Sequence, residues 1–221
     1  MKKIIIIGLL LTACNERTKS GKSDSHIQDK DTVITEVVDN SATEVIDSSP
    51  MEVIGDSPFS FSEFKIMKGQ LGEIKIGMTI KEAESKLAGL TRKKTPVYRY
   101  GFDGEEPCFS YYLQDTLVLA LIPKYNTDSL LCIVAAHKNL RTTNGLNPKS
   151  TVIELLEKYP NLEVGQNMEN GWEYIYDTEN KWSFDFATDE KNQIAEYPIP
   201  GKPSKPKRLT AKSDWVMIYD R

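Results

Sequence analysis

Cysteine and histidine are scarce in this chain of 221 residues, which holds three of the first and two of the second. No Cys-x-x-Cys pair occurs, and His26 and His137 stand far apart, so the spacing encodes neither a zinc site nor a dithiol redox centre. Basic excess is missing as well: 28 Lys and Arg against 32 Asp and Glu give a net charge of -4, which removes the electrostatic reason to expect nucleic acid as a partner. No apolar run reaches the roughly 20 residues that a membrane-spanning helix needs. There is no glycine-rich phosphate loop ending in Lys and Ser or Thr, and no Gly-x-Ser-x-Gly nucleophile elbow. The expectation is therefore a protein without cofactor or metal, and not an enzyme.

The amino terminus carries a pattern of its own. Lys2 and Lys3 precede the apolar run Ile4 to Leu11, which is followed by Thr12, Ala13 and Cys14. A positive end, a short apolar stretch and small residues make up a secretory signal. Leu11-Thr12-Ala13-Cys14 resembles the bacterial lipoprotein signal motif, in which the cysteine becomes the lipidated first residue of the mature chain. That resemblance implies loss of residues 1–13, acyl chains on Cys14 and retention in the bacterial cell envelope. Each buried methylene of such a chain contributes roughly 0.8 kcal/mol, and stable anchoring takes more than one chain. Asn15 stands where some bacteria use an aspartate for inner-membrane retention, which favours the outer membrane. The implied partners are the membrane itself and an envelope protein or component.

Residues 15–60 contain 10 acidic and 4 basic side chains and no aromatic before Phe59. Their apolar pairs, such as Val37-Val38 and Val45-Ile46, lie too thinly among charges to repay the entropy of ordering, so the segment reads as a disordered tether. Residues 61–221 hold 22 charges of each sign and enough Tyr, Trp, Ile and Leu for a core.

Two helix starts organise that domain. Thr79 with Glu82, and Thr151 with Glu154, have the three-residue spacing of a capping box. Ile80, Ala83, Leu87 and Leu90 then follow at helical spacing, as do Val152, Leu155, Leu156 and Tyr159 before Pro160. Strand signals follow each helix: Val97 to Phe102, Cys108 to Gln114, Thr116 to Pro123 and Leu130 to Lys138 in one unit, and Trp172 to Tyr176, Trp182 to Thr188 and Gln193 to Pro198 in the other. The predicted class is α+β, with two helix-plus-antiparallel-sheet repeats, 70–140 and 144–200, packed as one globular domain. A C-terminal strand over 214–220 is expected to return to an exposed sheet edge.

Within this frame four groups of residues are candidates. Trp172, Tyr174 and Tyr176 form a same-side row, either core packing or a partner-binding surface. Trp182, Phe184 and Phe186 share one face of their strand and are expected to pack under a helix, with Ser183 and Asp185 turned away. Cys108 and Cys132 read either as a disulfide or as separate buried thiols. Lys202, Lys205, Lys207 and Arg208 read as an anionic-surface contact or as an exposed connector. Glu105-Glu106 and Glu169-Glu173 read as solvated charges.

The run Ile74 to Ala83, with Gly77-Met78-Thr79 at the cap, resembles the small outer-membrane assembly lipoproteins called SmpA/OmlA and the tandem helix-plus-sheet domains of the β-lactamase inhibitor protein. What the likeness implies is noncatalytic protein binding. The expected function is thus a non-catalytic envelope lipoprotein that binds a protein or an envelope component. A tethered inhibitor or passive structural protein, and a hydrolytic enzyme with a site near His137, are the alternatives.

Overall fold

The computed structural model describes residues 52–220, so the expected signal segment, Cys14 and most of the expected tether lie outside the described residues. In chain order the strands are β1 (Glu52–Val53), β2 (Lys65–Met67), β3 (Gln70–Leu71) and β4 (Ile74–Lys75), followed by helix α1 (Ile80–Glu84). Then come β5 (Thr91–Pro96), β6 (Pro107–Leu113), β7 (Thr116–Pro123), β8 (Leu130–Ala135) and β9 (Arg141–Thr142). Helix α2 (Val152–Lys158) precedes β10 (Gly165–Gln166), β11 (Glu173–Asp177), β12 (Trp182–Phe186) and β13 (Trp215–Ile218). Among the described residues no helix is long and apolar enough to cross a membrane.

The α+β expectation is corrected. The protein is mainly β, 37% strand against 11% helical, with one sheet of nine strands, one of four, and two helices among the described residues. Both capping boxes are present: Glu82 N–H donates to Thr79 Oγ1 at 3.2 Å while Thr79 N–H donates to Glu82 Oε2 at 2.8 Å, and Thr151 and Glu154 repeat the arrangement. A good start does not make a long helix, however. α1 runs for 5 residues and α2 for 7. Leu87 and Leu90 are fully buried, yet they sit in a turn beyond α1. Gly89 takes φ +83°, and a Cβ there would stand 2.5 Å from the Ser57 carbonyl oxygen and 2.6 Å from Phe59 N. Residues 57–59 therefore lie against this turn, and Gly89 N–H donates to Ile54 O at 2.7 Å. Folded structure begins ahead of the expected boundary at 60, since β1 pairs with β5.

The large sheet is antiparallel throughout, in the order β1-β5-β6-β7-β8-β13-β12-β11-β10. β7 lies inside it with both faces covered, as its unbroken apolar run requires. Gln114 takes a positive φ of 55° to close the tight β6–β7 hairpin. The last strand does not return to an edge: β13 pairs with β8 on one side and β12 on the other, at the middle of the sheet. The edges are instead β1 and β10, two residues each, which leaves little unpaired backbone to template association. The expected strand over Val97 to Phe102 is replaced by a 3-10 turn over Val97–Tyr100, with the strand displaced upstream to β5. Gln193 to Pro198 forms no strand; Ala195 makes a single bridge to Pro206.

One face of the large sheet buries the main core. Trp182, Phe184 and Phe186 pack there with Ala83 of α1, Val152 and Leu155 of α2, and Ile66 and Leu71 of the small sheet. The opposite face carries a second cluster, in which Val97 and Tyr100 of the 3-10 turn cover Cys108, Ile122, Cys132, Val134 and Met217. This second face is only partly covered, and the candidate site lies where the cover ends.

Candidate functional site

Strand alternation and register together build the site. On β11, β12 and β13 the side chains that turn away from the main core are Tyr174 and Tyr176, Ser183 and Asp185, and Trp215 and Met217. Tyr174 pairs with Asp185, which pairs with Trp215; beside that row, Tyr176, Ser183, Met217 and Val134 align across four strands. The 3-10 turn brings Tyr100 and Phe102 alongside, and Trp172 stands just ahead of β11. Tyr100, Phe102, Trp172, Tyr174, Tyr176, Ser183, Asp185 and Met217 line a cleft of about 410 Å³, with Tyr219 and the loop asparagines Asn167 and Asn170 completing it, while Trp215 backs the rings from outside.

The aromatic rings hold one another in place. Trp215 meets Tyr100 and Trp172 edge-on, each at 5.6 Å between ring centroids. Gly101, at φ +79°, lies against the Trp172 indole, so close that a Cβ would be 3.0 Å from the ring. Opposite Tyr174, Gly165 leaves the space its ring occupies; a Cβ there would be 2.5 Å from the phenol. Tyr174 is 37% and Tyr176 40% exposed, so neither ring is a core residue. Of the two readings of the Trp172, Tyr174, Tyr176 row, the structure places all three at the wall of a cleft.

Asp185 is the acid among these rings. Ser183 Oγ donates to its Oδ2 at 2.6 Å. Burial drives its pKa up to about 7; the Ser183 hydroxyl opposes this, the Asp214 carboxylate adds to it, and the Met217 backbone N–H opposes it. Among the described residues no Lys or Arg lines the cleft. The neighbouring phenols of Tyr100 and Tyr219 are pushed upward, chiefly by burial, and stay neutral. Sequence reasoning did not single out Asp185. The alternation around Phe184 placed it away from the core, but its company depends on β13 inserting beside β12, which no local pattern announces.

The other candidates are dispersed. Cys108 and Cys132 are free, buried thiols. They lie on β6 and β8 with β7 between them, and Ile122, the partner of Cys132, fills the gap. Two strand spacings separate their backbones by about 9–10 Å, beyond the reach of a disulfide. Cys108 instead donates to Thr95 O at 3.1 Å, and burial pushes both thiols up. His137 stacks on Phe61 at 4.4 Å, and its Nδ1 accepts from Asn139 N–H at 3.1 Å. Burial and Lys138 hold its pKa down. Glu173 is not a solvated charge: it is 1% exposed and accepts from Ile194 N–H, Ala195 N–H and Tyr197 Oη.

In the basic segment, Lys205 donates to Asn161 O and Leu162 O at 3.2 Å, Lys207 pairs with Glu196 and Arg208 donates to Asn192 O. These contacts tie the segment down as a strap, with Lys202 alone of the four lacking such a partner among the described residues. Among the described residues no group of three His, Cys, Asp or Glu side chains could hold a metal ion.

Comparison with protein-family models, with curated proteins and with solved structures gives no significant match.

Proposed function

We propose that this chain is a non-catalytic binding module, held at a bacterial membrane through lipid on Cys14, and that the aromatic cleft is where a protein or envelope component docks. The observation that carries the docking part is the gathering of Trp172, Tyr174 and Tyr176, partly open to solvent, around one opening with Tyr219 beside them and the buried Tyr100 ring behind. Large rigid aromatic side chains supply contact area at small entropic cost, which makes such clusters favoured anchors for partners. Anchoring rests on the Leu11-Thr12-Ala13-Cys14 motif. Among the described residues no carboxylate hydrogen-bonds to His137, so a hydrolytic site there gains no support from the geometry.

Both parts are testable in cells. A photo-crosslinking residue at position 174 or 176 is expected to trap a discrete partner, whereas the same residue at exposed position 153 on α2 is not. Equal trapping at all three positions, or none, removes the docking proposal. Fatty-acid labelling that is abolished by Cys14→Ser supports anchoring; labelling that persists in the variant, or is absent from the native chain, removes it.

A further inference from the structure

We infer that the cleft is a receptor for an aliphatic ammonium group, with Asp185 as its counter-ion and the Tyr174, Tyr176 and Trp172 rings as its walls. This deepens the docking proposal and rests on the same cleft. The argument begins with charge. Asp185 is an acid placed between Tyr174 and Trp215 in one row of the sheet, and among the described residues no cation lines the space in front of it. Arg99, Lys138 and Lys149 line a separate depression that shares only Tyr100 with this one. A carboxylate with no cation beside it among the described residues, in a cleft lined by Tyr and Trp rings, is complementary to a positive group from outside. The ring quadrupoles attract the same cation that the carboxylate does.

Geometry selects the kind of cation. One carboxylate oxygen of Asp185 already accepts from Ser183. A guanidinium seeks both oxygens in a fork, whereas an ammonium is a point charge that needs one. An alkyl stem suits the apolar flank formed by Phe102 and Met217.

The ionisable groups around Asp185 define how binding responds to pH. Tyr174 and Tyr176 face it from β11, Tyr100 from the 3-10 turn, Cys132 from β8, and Asp214 and Tyr219 from either end of β13. Glu173 points to the other face, where its carboxylate is occupied by backbone donors. Burial keeps Tyr100, Tyr219 and Cys132 protonated through the neutral range. Asp185, titrating near 7, is thus the group that must lose its proton for an ammonium to bind, and affinity rises with pH.

The test uses the full chain and three probes: N-acetyl-lysine methylamide, its norleucine counterpart and butylammonium, followed by the Trp172 indole resonance. The lysine derivative is expected to bind about tenfold more tightly at pH 8 than at pH 6, as the ionised fraction of Asp185 grows. The norleucine compound is expected to bind at least tenfold more weakly at pH 8. Asp185→Asn is expected to abolish the pH dependence, and Tyr174→Leu to weaken binding severalfold without moving its midpoint. Butylammonium binding as tightly as the lysine derivative assigns recognition to the amine alone; weaker binding assigns it to a lysine within a polypeptide. Equal binding of lysine and norleucine compounds, no binding of either amine, or pH dependence that survives Asp185→Asn overturns the inference. A chain that binds amines yet traps no partner in cells keeps this inference and loses the docking proposal, and the reverse result separates them equally.

Discussion

Asp185 illustrates what a single position in a sheet can impose on its side chain. Its folded pKa of about 7 stands above its ordinary value of 3.8, so between those values the folded chain keeps a proton that the unfolded chain has released. Stability therefore falls as pH rises from about 4 through 7 and levels off above that. Asp185→Asn removes this dependence: urea unfolding is expected to show the variant more stable than the parent at pH 8, by on the order of 2–4 kcal/mol, and nearly equal to it at pH 4. A parent whose stability does not change across this range would place the carboxylate in water. At this scale the sequence was half legible. Alternation told that Ser183 and Asp185 oppose Trp182, Phe184 and Phe186, but not that Tyr174 and Trp215 would flank the acid.

At the level of elements, local signals mark where helices start but do not set the class of the fold. Thr79 with Glu82 and Thr151 with Glu154 did mark helix starts, because a capping box is settled within four residues. The spacing of Ile80, Ala83, Leu87 and Leu90 does not fix helix length, because all four are buried at positions that a turn against residues 57–59 satisfies as well as a helix does. The small sheet, with strands of two and three residues, is too short to leave a period in the sequence. The burial of Glu173 leaves no local trace for a different reason: a buried carboxylate differs from a solvated one only in its partners, and these lie more than twenty residues away, at Ile194 and Ala195. That link makes a prediction. Glu173→Gln places an amide donor among donors and is expected to cost about 3 kcal/mol, read from the denaturant midpoint, with the 194–197 segment becoming protease-sensitive. A cost under about 1 kcal/mol would show that the segment is held by its other contacts.

For the whole molecule the decisive placement is that of β13. It joins β8 to β12, so the nine-stranded sheet is continuous only while β13 is in it. Nothing in the pattern of Trp215 to Tyr219 distinguishes a central strand from an edge strand, since Trp215, Met217 and Tyr219 alternate with Val216 and Ile218 in either case. Both sides of β13 are paired and Val216 and Ile218 are fully buried. Removal of residues 215–221 is expected to abolish the near-ultraviolet circular dichroism of the aromatic cluster and to expose apolar surface to a dye. A truncated chain that keeps its native spectrum would show the two halves of the sheet to be independent.

That central position also orders events in time. β13 is synthesised after every other described strand, so the sheet cannot close while the ribosome is still working on the chain ahead of it. Until then β8 and β12 each present an open flank, so the large sheet is completed only by the last strand to leave the ribosome.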